Sequence, residues 1–113
     1  MTFPVYSLVT NNGYCRVNGT MPYYCSKRPM NANECEAECT KYKPCVGYEY
    51  RERSSLCYLI PSSMSCPANY TIGSLSITPA SSNDLEAYEQ PGTVCYGKNI
   101  GNINMIGLYN LLL

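Results

Sequence analysis

Hydrophobic and polar positions change period along this chain, and each change predicts an element. Residues 3–9, Phe-Pro-Val-Tyr-Ser-Leu-Val, read as an extended apolar segment with proline near its start. Asn11-Asn12-Gly13 is a turn signal. Tyr14 to Val17 and Met21 to Cys25 are short strand candidates, with Asn18-Gly19 as the turn between them. The period then becomes helical. Asn31 and Asn33 both stand as N-cap candidates, with Glu34 and Glu36 three residues behind them as capping-box partners. Glu34, Glu36 and Glu38 load the first turns with the charge the helix dipole favours, Lys41 and Lys43 sit at the other end, and Pro44 stops the helix.

From Cys45 to Tyr50 the period is two, with Val46, Tyr48 and Tyr50 on one face. Arg51 to Ser55 is a polar turn, and Leu56 to Ile60 returns as a strand that Pro61 ends, so the pair predicts an antiparallel hairpin. Tyr70 to Thr78 is a further strand candidate, interrupted by Gly73. Pro79 to Gly92 is rich in Ser, Asn, Asp and Pro and predicts a surface loop, with one helical turn at Asp84–Tyr88 capped by Ser82 or Asn83. Thr93 to Tyr96 is a final short strand. The tail from Gly97 mixes Gly and Asn with large apolar residues.

Composition places these elements in a small, oxidised molecule. The 113 residues suffice for one domain, and 8 cysteines in so short a chain are the composition of a disulfide scaffold. Asn18-Gly19-Thr20 and Asn69-Tyr70-Thr71 both fit the N-glycosylation pattern, which agrees with a secreted, extracellular location. The first ten residues lack the basic start and cleavage pattern of a secretory leader, so a mature or excised form is expected. The C-terminal apolar run is too short to span a bilayer, and no transmembrane segment is expected.

Basic and acidic residues balance at 8 each, so no basic patch exists for nucleic acid. The chain has no histidine, which removes Ser-His and Cys-His pairs and histidine metal sites. Glu36 and Glu38 sit at an exposed helix start, and Glu49 and Glu52 are expected to pair with Arg51 or Arg53 on the surface. Gly92-Thr-Val-Cys-Tyr-Gly97-Lys98 approaches a phosphate loop, but Asn99 stands where the magnesium hydroxyl ligand is needed. We therefore expect no catalysis, no cofactor and no metal.

Cys35, Cys39, Cys45 and Cys57 are spaced C-x3-C-x5-C-x11-C. This spacing departs from the C-x2-C knuckles of zinc sites, whereas disulfides make mechanical sense. Cys35 and Cys39 share one helix face. A Cys39–Cys45 bond can close the helix-to-strand corner, and Cys35 can then reach Cys57 on the returning strand. Each such bond is worth about 3 kcal/mol for a loop of about fifteen residues in the chain-entropy model.

The stretch from Asn33 to Ile60 resembles the PAN/apple domain family. That family carries C-x3-C on a helix, C-x-G-aromatic on a strand and C-aromatic-Leu on the next, here Cys35/Cys39, Cys45-Val46-Gly47-Tyr48 and Cys57-Tyr58-Leu59. The match is loose over 14–97 as a whole. The resemblance implies Cys35–Cys57 and Cys39–Cys45 pairing and a Cys15–Cys95 bond between the first and last strands. That leaves Cys25–Cys66 as a bond outside the family core.

Together these readings predict an α+β, small disulfide-rich domain with one short helix packed on an antiparallel sheet. Its expected divisions are an apolar N-terminal arm (1–13), a PAN/apple-like stapled domain (14–97) and an apolar tail (98–113). The resemblance implies a non-enzymatic extracellular interaction or adhesion module that binds protein or carbohydrate. The expected binding surface is the hairpin, through Tyr48, Tyr50, Tyr58, Arg51 and Arg53. An alternative is a self-assembling subunit of an extracellular glycosylated filament, with copies of itself as partner. It would be joined through its apolar terminal segments, with Ile103, Met105, Ile106, Leu108, Tyr109, Leu111, Leu112 and Leu113 as the assembly tail.

Overall fold

The computed structural model describes residues 2–102. They form an α+β, small disulfide-rich fold in which one helix packs on an antiparallel sheet. The strands are β1 (Thr2–Thr10), β2 (Gly13–Arg16), β3 (Cys25–Lys27), β4 (Cys45–Arg51), β5 (Leu56–Pro61), β6 (Thr71–Ile72), β7 (Glu86–Glu89) and β8 (Thr93–Asn102). The helix α1 spans Ala32–Lys41, and a 3-10 turn spans Ser82–Asp84. Six strands form one sheet in the order β1-β8-β4-β5-β3-β6, and β2 pairs β7 in a separate ribbon.

The helix begins where its capping chemistry is complete. Asn31 Oδ1 accepts from the Glu34 N–H at 2.8 Å, and the Glu34 carboxylate accepts from the Asn31 N–H at 3.0 Å. Its C-terminal carbonyls are met by a cation from the neighbouring strand β8, since Lys98 Nζ donates to the Cys39 carbonyl at 2.7 Å. Ten residues are too few to stay helical alone. Cys35–Cys57 bonds α1 to β5, and Cys39–Cys45 bonds it to β4. Buried Tyr48, Tyr50 and Leu59 fill the space beneath, with Tyr6 and Tyr96 packed at the margin.

The opposite face of the sheet carries the β2–β7 ribbon. Cys15, Val17, Ile60, Leu85 and Cys95 form a second, smaller core there. Cys15–Cys95 bonds the ribbon to β8, and Cys25–Cys66 bonds β3 to the segment before β6. Gly47 lets this layer approach the sheet closely. A Cβ at that position would lie 2.5 Å from Leu85 Cδ1 and 2.7 Å from the Tyr96 carbonyl oxygen. The register also shifts between Cys45 and Gly47, so the strand bends there.

Several local expectations change once long-range pairing is seen. The divisions at 13/14 and 97/98 coincide with no structural boundary, because β1 pairs β8 from Thr2↔Asn102 onward within the main sheet. The strand expected over Thr93–Tyr96 therefore runs to Asn102. Tyr14–Val17 does not form a hairpin with Met21–Cys25. The Asn18-Gly19 turn closes only the Val17↔Thr20 bridge, and β2 pairs β7 instead. The strand expected over Tyr70–Thr78 is limited to Thr71–Ile72.

The helical turn expected at Asp84–Tyr88 lies earlier. Ser81 caps it, Asp84 Oδ2 accepts from the Ala80 N–H at 2.9 Å, and Glu86–Glu89 is drawn into pairing with β2. Among the described residues no helix is long and apolar enough to cross a membrane. The tail residues Ile103, Met105, Ile106, Leu108, Tyr109, Leu111, Leu112 and Leu113 lie outside the described residues.

Candidate functional site

Strand register sorts the hairpin side chains onto two faces. Tyr48 pairs Leu59 and Tyr50 pairs Cys57, whereas Glu49 pairs Tyr58 and Arg51 pairs Leu56. Tyr48 and Tyr50 therefore face the helix and are buried. The Tyr50 hydroxyl donates to the Met30 carbonyl at 2.7 Å, which anchors the chain just before α1. This corrects the expectation that Tyr48 and Tyr50 belong to an exposed binding surface. They are structural because α1 covers their side of β4. Arg53 is exposed in the Glu52–Ser55 turn, with no side-chain partner among the described residues.

Arg51 and Tyr58 meet on the other face, and sequence reasoning missed their companions. The Arg51 guanidinium lies 4.4 Å from the Tyr58 ring centre and 4.6 Å from that of Tyr14. Tyr58 stacks on Tyr24 at 4.4 Å, and Tyr14 stacks on Tyr88 at 6.3 Å. Arg16 lies over Tyr14 at 4.5 Å and approaches Tyr88 at 5.7 Å. The result is a continuous ladder, Tyr24–Tyr58–Arg51–Tyr14–Arg16 with Tyr88. It runs across β5 and β4 to the β2–β7 ribbon. Each cation–ring contact is worth about 0.5–1 kcal/mol at a partly exposed site.

Glu49 holds the ladder from below. Its side chain is only 2% exposed. One carboxylate oxygen accepts from the Cys15 N–H at 2.9 Å, the other accepts from Arg51 Nε at 2.8 Å, and Arg16 Nη1 stands 3.8 Å away. The expectation of a surface pair was thus correct in naming Arg51 and wrong in placing it on the surface. The carboxylate points into the gap between sheet and ribbon, and Arg16 comes from the ribbon. Burial pushes the Glu49 carboxyl above its usual range, while Arg51, the Cys15 N–H and Arg16 draw it part of the way back. Arg16 is fixed further by donating Nη1 to the Cys15 carbonyl at 2.8 Å.

Chemically this array presents aromatic rings and guanidinium groups side by side. Arg51 spends Nε on Glu49, and its terminal nitrogens have no hydrogen-bond partner among the described residues. Tyr88 is 60% exposed, so its ring is open to a partner. Planar rings and guanidinium groups bring large contact area at small entropy cost. All eight cysteines are disulfide-bonded, so none is available as a thiolate ligand or nucleophile. Among the described residues no group of acidic, histidine or cysteine side chains is arranged to hold a metal ion.

The other predicted positions lie apart from the ladder. Asn18 is exposed at the turn between Val17 and Thr20 with φ 51°, and Asn69 is exposed in the turn before β6 with φ 69°. The signal that could have revealed the ladder was Tyr14 and Arg16 at two-residue spacing in a strand candidate. Tyr88 gave none, because its segment Glu-Ala-Tyr-Glu shows no apolar alternation. Compared with known proteins, the chain matches no family model, no curated protein and no solved structure.

The ribbon depends on its disulfide. Cys15–Cys95 spans 80 residues and is worth about 4.5 kcal/mol in the chain-entropy model. Replacing both cysteines with alanine is expected to cost about 2–5 kcal/mol in guanidinium unfolding. Near-ultraviolet circular dichroism should also show loss of the tyrosine environment. An unchanged unfolding midpoint would contradict this role.

Proposed function

We propose that this chain is a non-enzymatic, secreted interaction module that binds protein or carbohydrate, with the Tyr–Arg ladder as its contact surface. The observation that carries the reading is the ladder itself. It is rigid before any partner arrives, because Glu49 and the Cys15–Cys95 bond fix Arg16, Arg51 and Tyr14. A surface fixed in advance loses little freedom on binding, and Tyr and Arg are the side chains that dominate binding energy. Four disulfides fit an oxidising, extracellular-type environment. The resemblance of Asn33–Ile60 to PAN/apple modules supports the same class. The charge of Arg16 and Arg51 is offset by Glu49 beneath and by Glu86 opposite Arg16, which favours neutral or mixed-charge partners over polyanions.

The test is binding to immobilised glycans and extracellular proteins. Tyr88→Ala is expected to weaken any specific binding at least about tenfold while lowering unfolding free energy by no more than about 1 kcal/mol, because the ring is exposed and its ladder contacts are one stacked ring and one cation. Binding that survives both Tyr88→Ala and Tyr24→Ala unchanged would remove the ladder as the contact surface.

A second reading, a self-assembling filament subunit, is favoured by one observation. β1 is 9 residues long, carries no charge and lies at the edge of the main sheet, with Val5 and Leu8 exposed. Pro4 weakens it, since proline brings no N–H to a pairing edge. Light scattering across rising concentration separates the two readings. Growth in mass supports assembly, and a constant monomer mass excludes it.

A further inference from the structure

The six-stranded sheet has two edges, and they differ. β1 is long, whereas β6 is a 2-residue strand whose Ile72 is 60% exposed. Beside β6 runs a groove of about 340 Å³ lined by Lys27, Arg28, Leu56, Tyr58, Thr71 and Asn69. Asn69 opens the sequon Asn69-Tyr70-Thr71, and Thr71 is the first residue of β6. The sequon asparagine is therefore both an exposed turn residue and part of the wall of this groove. Asn18 offers the contrast. Its turn stands in open solvent, and a Cβ at the adjacent Gly19 would meet nothing within 4 Å.

We propose that Asn69 carries an N-linked glycan whose first sugars lie in this groove and cover the β6 edge, while a glycan on Asn18 stands free. The modification requires passage through a glycosylating secretory route and no ligand of the ladder. In that step the Asn69 side-chain amide nitrogen attacks C1 of the reducing-end sugar of a lipid-diphosphate-linked oligosaccharide. The N–C bond forms as the C–O bond to the diphosphate breaks, and the amide proton leaves with the lipid diphosphate.

The groove suits such an occupant. Its volume is in the range that holds a small ligand. Leu56 and the edge of Tyr58 present apolar surface, and Lys27, Arg28 and Thr71 present hydrogen-bonding groups to sugar hydroxyls. Both faces of the Tyr58 ring are already taken, by Tyr24 and Arg51, so the sugar would meet the ring edge and hydroxyl. Covering an exposed, partly apolar edge also removes a site for unwanted strand pairing. Asn69 takes φ 69° in the exposed turn before β6, a left-handed conformation that asparagine tolerates.

The experiment is secretion of the full chain from glycosylating eukaryotic cells, followed by peptide mapping and timed release by peptide-N-glycosidase on the native protein. Both asparagines are expected to be occupied, with release at Asn69 at least roughly tenfold slower than at Asn18. The difference should vanish after reduction and denaturation. Thr71→Val abolishes the sequon while leaving Asn69 at its turn, and it is expected to speed amide exchange at Ile72. The matching Thr20→Val should leave that exchange unchanged. An unmodified Asn69, equal native release rates, or Ile72 exchange indifferent to Thr71→Val would overturn the proposal.

Discussion

A carboxylate buried in the middle of the sheet constrains everything on the face away from the helix. Glu49 sits on β4, between β5 and β8, and is almost wholly removed from water. An isolated ion there would cost several kcal/mol, so its oxygens must be met by donors and countercharge. The Cys15 N–H, Arg51 and Arg16 meet them. Two of those three groups come from β2, which is far away in sequence. The ribbon must therefore cross β4 at this point, and Cys15–Cys95 keeps it there. Once both guanidinium groups are held near Glu49, their planes lie over Tyr14, Tyr58 and Tyr88, and the ladder follows.

The two faces of the sheet divide the work. On the helix side, Tyr48 stacks on Tyr96 at 5.4 Å and meets Tyr6 edge-on at 5.5 Å, with two disulfides pinning α1 above them. Burial, together with nearby Glu36, pushes the Tyr48 phenol well above its ordinary range, as expected of a core ring. Tyr70 ties the loop before β6 to the same helix by donating to Glu38 at 2.9 Å. These tyrosines are consumed by folding. The opposite face keeps Tyr14, Tyr24, Tyr58 and Tyr88 at the surface. The same residue type thus serves as core on one side and as contact area on the other, and strand parity decides which.

Much of the helix side was legible in the sequence. The Asn31–Glu34 capping box, the Cys35/Cys39 face and the alternation from Cys45 to Tyr50 depend on residues close in the chain, so local physics announces them. The ladder side was not. Glu86–Glu89 has no apolar alternation, because all four residues are exposed, and only pairing with β2 makes it a strand. Alternation also placed Tyr48 and Tyr50 together without saying which face the helix would cover. Glu49 sits where an alternating strand would ordinarily present a charge to water. Its burial follows from Arg16 and Cys15, whose positions no local pattern announces. The long β8 was hidden for a similar reason, since Lys98 to Asn102, beyond the pairing with β4, becomes strand through β1.

Glu49 and the ladder are held together by the Arg51 Nε hydrogen bond to the buried carboxylate. The most direct measurement is a double-mutant cycle between Glu49→Gln and Arg51→Met, read as guanidinium unfolding free energies of the oxidised protein. Coupling of about 1–3 kcal/mol is the predicted result, because removing either partner breaks the charge-assisted Arg51–Glu49 hydrogen bond at a carboxylate that is almost wholly buried. Additivity within roughly 0.5 kcal/mol would contradict it, and would mean that the ladder is held by packing alone.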